Sequence, residues 1–357
     1  MACGVYLLPR GIMSSPTSRR RFLRAAALAP AILYADDKSG TKPPVLGSGE
    51  HTYEAIHDWG ELPAGIKYGN THGVVEDSQA NIYIHHTVNA DSQSSDSMVV
   101  FDQKGKFVKS WGREFKGGAH GLHIRKEGST EFLYLCDTKR GVVVKATLNG
   151  EEVWSVGYPS QSEAYKPGPD GKLPKYSPTN LAIAPNGDIY VGDGYGSSYI
   201  NQYNSKGEYL RTFGGKGTEP GKVDCPHGIT LDTRGGSPIL MVADRGNKRI
   251  QRFTLGGEHI DFVSGTNLPC NFDYFKNGDV VVPDLGARVT LLDKHNQVIE
   301  HLGDDSVSKW NDTRKMTRDH FTAGKFVCPH GACFDHAGNI FVVEWVEVGR
   351  VTKLRRV

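Results

Sequence analysis

The stretch "CPHGITLDTRGG" at residues 225–236 has a near twin at 328–339, "CPHGACFDHAGN". His-Gly pairs also stand at His72 and His120, each just ahead of a strand-like run, "HGVVED" and "HGLHIR". Imidazole is a common metal ligand, and three of them converging make the open, catalytic type of zinc site. The bland alternative is that the pair only shapes the turn into the strand. Asn and Gly do that readily, but His has no such general advantage. The Cys-Pro ahead of His227 and His330 reads as a turn setter; the alternative makes Cys225 and Cys328 further ligands.

Choosing between these chemistries requires the elements that position the His. A strand-like run recurs six times: "ANIYIHHTVN", "EFLYLCDTKRG", "GDIYVGDGYG", "SPILMVADRGN", "GDVVVPDLGA" and "GNIFVVEWVEVG". Each is rich in β-branched or aromatic residues, and most end in an acid followed by a Gly-containing turn. A second strand follows each run, as in "RIQRFTLGG", and a third follows most, as in "EYLRTFGG". A short strand precedes each unit. Six four-stranded units are the pattern of an all-β, six-bladed β-propeller, and the units resemble NHL repeats. The sixth unit runs out of chain before its fourth strand. The spare strand "YEAIHDWG" (53–60) is expected to close the ring there and remove exposed sheet edges.

In a propeller the first strand of every blade lines the central channel. The residues ahead of those strands are His72, His120, Asn180, His227, Asn271 and His330. They form one ring. Blades two, four and six alternate around it, so His120, His227 and His330 make a triangle suited to Zn²⁺ or a similar divalent ion. His72 is open to three roles: a fourth ligand, a group behind the ligands, or a proton carrier. The loops "DGYGSSY" (193–199) and "ADRGNK" (243–248) fall on the same face as the ring, which brings Tyr195 and Arg245 to it. Asp193 and Asp244 read as caps of their own turns. The insertions 156–179 and 303–327 belong to that face too and could wall a pocket.

The remaining residues set the context. The chain has 357 residues and a formal charge of +2, but residues 1–35 hold five Arg and no acid. Setting those aside leaves 37 basic against 40 acidic residues, so nucleic acid is not an expected partner. No apolar run reaches the roughly 20 residues of a stable membrane span. Ser18, Arg19, Arg20, Phe22 and Leu23 precede a short apolar run and resemble a twin-arginine export signal over 1–35. Residues 36–50 read as a linker and 51–357 as the propeller. Outside the leader there are five Cys, Cys136, Cys225, Cys270, Cys328 and Cys333, with no CxxC spacing.

With these motifs in place, the chain resembles the propeller lyase of peptide amidation, peptidyl-α-hydroxyglycine α-amidating lyase, over residues 53–357 and most strongly over 178–255. The resemblance implies zinc on three His matching His120, His227 and His330. It also implies a catalytic Tyr matching Tyr195 and an active-site Arg matching Arg245. The implied reaction cleaves a carbinolamide to an amide and glyoxylate. Three positions depart from the family. Its first-blade Arg falls at Thr87. Its structural calcium takes two backbone carbonyls, matching Val74 and Leu122, and an Asp that is Gly331 here, so the calcium set is incomplete. The Cys beside its Tyr is Gly196, which removes a disulfide.

The expected protein is therefore an exported, periplasmic or extracellular bacterial lyase. It is expected to be a monomer acting on a small molecule or peptide after passage through the twin-arginine machinery. The rival readings are a non-catalytic NHL propeller that binds a protein or peptide, and a zinc hydrolase using bound water.

Overall fold

The structure is a computed structural model and describes residues 42–357. The leader read at 1–35, and residues 36–41 of the segment read as linker, lie outside the described residues. Six antiparallel sheets are arranged as the blades of a six-bladed propeller. Their inner strands are Thr71–Glu76, Ala119–Glu127, Asn180–Ile183, Pro226–Asp232, Asp273–Tyr274 and Pro329–Phe334.

The ring closes as the sequence suggests. Tyr53–His57 pairs antiparallel with Arg350–Arg356, Tyr53 opposite Arg356 and His57 opposite Thr352. The last blade thus draws its fourth strand from the other end of the chain. A fifth strand, Val45–Leu46, pairs outside it within the segment read as linker. The short apolar pair "VL" finds a free sheet edge there, and pairing covers that edge.

Burial follows from the layering. Second strands such as Ile82–His86 and Ile340–Glu344 are buried at every position, because both faces of each blade are covered by neighbouring blades. Outer strands such as Phe107–Trp111 meet solvent and are only partly buried. The core is accordingly a set of apolar layers between blades. Val75, Tyr83, Met98 and Val100 of blade one pack on Leu122, Leu133 and Val144 of blade two. Val74, Ile84 and Phe101 pack on Phe341, Val343 and Val351 of blade six.

The acid that ends most second strands has a structural task. Asp193 accepts the backbone N–H of Ser177, Asp244 that of Asp224, Asp284 that of Asn267, and Glu344 that of Val327. The held residue lies three or four positions ahead of the ring residue of the same blade. The acid therefore fixes the loop that delivers the ring side chain. Asp193 and Asp244 also cap their own turns, through Ser197 N–H and the Asn247 amide.

Candidate functional site

Each of the four His-Gly pairs sits at an irregularity of strand register, between Thr71 and Gly73, Ala119 and Leu122, Pro226 and Ile229, and Pro329 and Gly331. A bulge re-aims a side chain, and here the imidazoles gather around the axis. In five of their six pairings the ring centroids lie 4.4–4.8 Å apart, and all four are buried.

The Gly has its own reason. A Cβ on Gly228 would stand 2.5 Å from the Cys270 carbonyl oxygen, on Gly121 2.6 Å from that of Thr179, and on Gly331 2.5 Å from that of His72. Those three oxygens accept hydrogen bonds from His227 Nδ1 (2.8 Å), His120 Nδ1 (2.6 Å) and His330 Nδ1 (3.0 Å). In each pair, Gly lets the next blade approach and His bonds the carbonyl that approaches. The bond places the proton on Nδ1 and makes Nε2 the unprotonated, lone-pair nitrogen, the usual arrangement behind a metal-binding imidazole.

His72 differs. Its Nδ1 faces His330 Nε2 at 3.3 Å. Because His330 already donates from Nδ1, His72 is the donor of this pair. Burial, reinforced by the crowding of the other imidazoles and, for His120 and His227, by Arg245, holds His72, His120 and His227 well below the ordinary imidazole range. Burial lowers His330 to about 3. All four are therefore neutral at physiological pH, the form that binds metal.

Tyr195 and Arg245 lie where the shared-face argument puts them. Tyr195 Oη is 3.2 Å from His120 Nε2 and 3.1 Å from His227 Nε2. Arg245 Nη1 donates to Tyr195 Oη at 3.5 Å, and its guanidinium lies 5.3 Å from the ring centroid. Burial pushes the Tyr195 phenol up to about 12, against the pull of Arg245. Both side chains remain partly open to solvent, whereas the imidazoles behind them do not. Arg245 pairs with no carboxylate among the described residues. Its other neighbours are Cys225 Sγ at 3.3 Å and Cys270 Sγ at 3.8 Å.

The donor atoms fall into two overlapping groups, His72, His120 and His330, and His227, Cys270 and His330, each within 4.8 Å. The three His singled out from sequence are thus divided between two groups that share His330. The five Cys of the propeller are all free thiols. Cys328 packs with Phe321, Val327 and Val346 rather than joining a donor group. The insertion 303–327 supplies Phe321 to that layer, and Tyr165 of the other insertion donates to Asp193 at 2.7 Å. Both insertions therefore buttress the site's loops.

In blade one, Thr87 occupies a structural position: its Oγ1 accepts the Asn70 N–H and its N–H bonds the Asn70 carbonyl. Beside it, sequence reasoning passed over His85 and His86. Both are fully buried, and neither ring nitrogen of His85 nor Nε2 of His86 has a hydrogen-bond partner among the described residues. His86 stands where the other blades carry the acid and accepts the Val88 N–H through Nδ1. Aligning the repeats column by column would have exposed that exchange.

Curated relatives share this chain's sequence at low identity. It is 29% identical over 233 residues to peptidyl-alpha-hydroxyglycine alpha-amidating lyase 1 of Drosophila melanogaster, covering 57% of this chain and 40% of that protein. It is 24% identical over 289 residues to lyase 2 of the same organism, covering 78% and 64%. The chain is a distant homologue of the amidating lyases. It is also 30% identical over 162 residues to human NHL repeat-containing protein 3, 44% of each chain. The chain spans a quarter of the Xenopus laevis peptidyl-glycine alpha-amidating monooxygenase B that it matches at 29% identity. No family model matches. Among solved structures, a streptogramin B lyase aligns with TM-score 0.55 and 14% identity over 87% of this chain and all of that one. A gluconolactonase from Xanthomonas campestris aligns with TM-score 0.56 and 14% identity, covering 90% and 96%. Both show the propeller fold alone.

Proposed function

We propose that the protein is a divalent-metal-dependent carbon–nitrogen lyase that cleaves a carbinolamide bearing a carboxylate into an amide and a glyoxylate-type aldehyde. Tyr195 carries this assignment: its Oη touches Nε2 of both His120 and His227 and lies beside an Arg245 guanidinium that has no carboxylate partner among the described residues. Neutral imidazoles with Nδ1 tied to carbonyls suit Zn²⁺ or a similar ion, with His120, His227 and His330 as its ligands. Such an ion supplies positive charge that lowers the pKa of hydroxyl groups nearby.

The side chains divide the work. Arg245 binds the substrate carboxylate with two parallel hydrogen bonds, which places the carbinol hydroxyl at Tyr195. Burial keeps Tyr195 protonated by itself; with the ion's charge beside it the phenol would release its proton to solvent, and the resulting phenolate would take the hydroxyl proton. The C–N bond then breaks, the C=O bond forms, and Tyr195 returns the proton to the departing nitrogen. His72 stands among the same donors, its Nδ1 3.3 Å from His330 Nε2; with the ion on His330, His72 would give up that hydrogen bond and be free to serve as a fourth ligand. The incomplete calcium set at Gly331 supports a single resident metal.

Incubating zinc-loaded protein with α-hydroxyhippurate and assaying glyoxylate tests this reading. The expected result is glyoxylate formed at least ~10²-fold faster than by Tyr195→Phe, as loss of a general base predicts. Equal rates at saturating metal would overturn it. The binding-module alternative has one observation in its favour: Thr87, at the position where the family resemblance implies a second Arg, is held by Asn70. Absence of bound metal would favour it. A product lacking an aldehyde would favour a hydrolase. We also propose that the leader around Arg19 and Arg20 exports the folded protein by the twin-arginine route, to the periplasm or beyond.

A further inference from the structure

We propose that Cys270 Sγ is itself a ligand of the metal ion, making a mixed imidazole–thiolate centre with His227 and His330. This rests on the metal-site reading above and goes beyond its three imidazoles. Sγ of Cys270 lies within 4.8 Å of the donor nitrogens of both His. The Cys270 carbonyl receives the His227 Nδ1 bond at 2.8 Å, so one residue aims the imidazole and offers a second donor beside it. The thiol is fully buried, backed by Leu285, Phe321, Val327 and Val346.

Charge balance points the same way. A divalent ion here would stand near the Arg245 guanidinium, and nearby acids are already engaged. Asp244 bonds Arg249, Asp284 bonds Arg288, Glu344 bonds Arg350, and Asp193 bonds Tyr165 and two backbone N–H groups. Buried positive charge without an anion is costly. Coordination through Sγ forms a metal–sulfur bond, breaks the S–H bond and releases the proton to solvent. It places one negative charge 3.8 Å from Arg245 Nη1. A substrate carboxylate then meets an Arg245 whose field is already partly balanced. Thiolate also biases the site towards softer ions such as Zn²⁺ and away from Mg²⁺.

Cobalt substitution of the purified full chain tests this without relying on turnover. The expected Co²⁺ spectrum has an intense near-ultraviolet thiolate-to-cobalt charge-transfer band together with visible d–d bands. That band should be lost in Cys270→Ser and Cys270→Ala and kept in Cys225→Ser, with folding of all three verified by circular dichroism. Visible bands without charge transfer would overturn the thiolate ligand and leave the three-imidazole reading standing. A charge-transfer band surviving in both Cys270 variants would also overturn it. No Co²⁺ uptake at all would overturn the metal reading and this inference with it.

Discussion

The His-Gly pair can be tested through its Gly. A Cβ added at Gly228 would meet Cys270 O at 2.5 Å, Asn271 Cα at 2.8 Å and Cys270 C at 3.0 Å. All three are backbone atoms of the next blade, so no side-chain rotation relieves the clash. Gly228→Ala must push blades four and five apart or distort the bulge. Overpacking of this kind costs about 1–3 kcal/mol. Loss of the His227 Nδ1 bond to Cys270 O adds about 0.5–1.5 kcal/mol. The sum, roughly 1.5–4.5 kcal/mol, corresponds to a Tm drop of roughly 3–9 °C at about 2 °C per kcal/mol for a large domain. His227 would also lose its orienting partner, which should weaken metal binding by about 10–100-fold. Gly235, in the same blade, has nothing within 4 Å of an added Cβ, so Gly235→Ala is the control. Calorimetry and chelator competition measure both effects. If Gly228→Ala melts and binds zinc like Gly235→Ala, the close-approach account of the His-Gly pair is wrong.

Three further outcomes are expected. Arg245→Ala should raise KM for carboxylate-bearing substrates far more than for their amides, and Arg245→Lys should rescue poorly because a point charge lacks the two-pronged geometry; kinetics with both substrate types checks this. His57, on the ring-closing strand, accepts the Gly324 N–H through Nε2 and bonds Thr352 Oγ1 through Nδ1, so it is folded neutral. Burial, with Arg350 and Arg318, lowers it to about 3. The unfolded chain therefore takes up the proton first. Its contribution is fully present above the ordinary value near 6.5 and falls by about 1.4 kcal/mol per pH unit towards pH 3. Urea unfolding of the wild type against His57→Gln should show a shallower acid slope in the variant; parallel slopes would refute the assignment. Replacing Arg19 and Arg20 by Lys should leave uncleaved precursor in the cytoplasm, read by fractionation, and normal export of that variant would remove the twin-arginine reading.

Much of this protein is legible without its structure because the fold repeats. A fixed offset within a repeated unit becomes a fixed place in space, so His72, His120, His227 and His330 could be assigned to one ring from their position before each inner strand. The same logic brought Tyr195 and Arg245 to that ring, and six repeats of a run rich in β-branched or aromatic residues and ending in a turn indicated the number of blades. The spare strand read at 53–60 was recognisable because closing a ring needs a partner for the last blade, and Tyr53–His57 supplies it. What repetition does not encode is contact between one blade and the next. The Nδ1 bonds to Thr179, Cys270 and His72, and the thiol of Cys270 among the donors, each join residues tens to hundreds of positions apart. His85 and His86 were passed over because an apolar second strand conceals a buried polar side chain until packing shows what surrounds it. Local pattern therefore determined where the side chains stand, and blade-to-blade packing decided which atoms face one another, because donor geometry depends on ångström-scale approach that no spacing along the chain records.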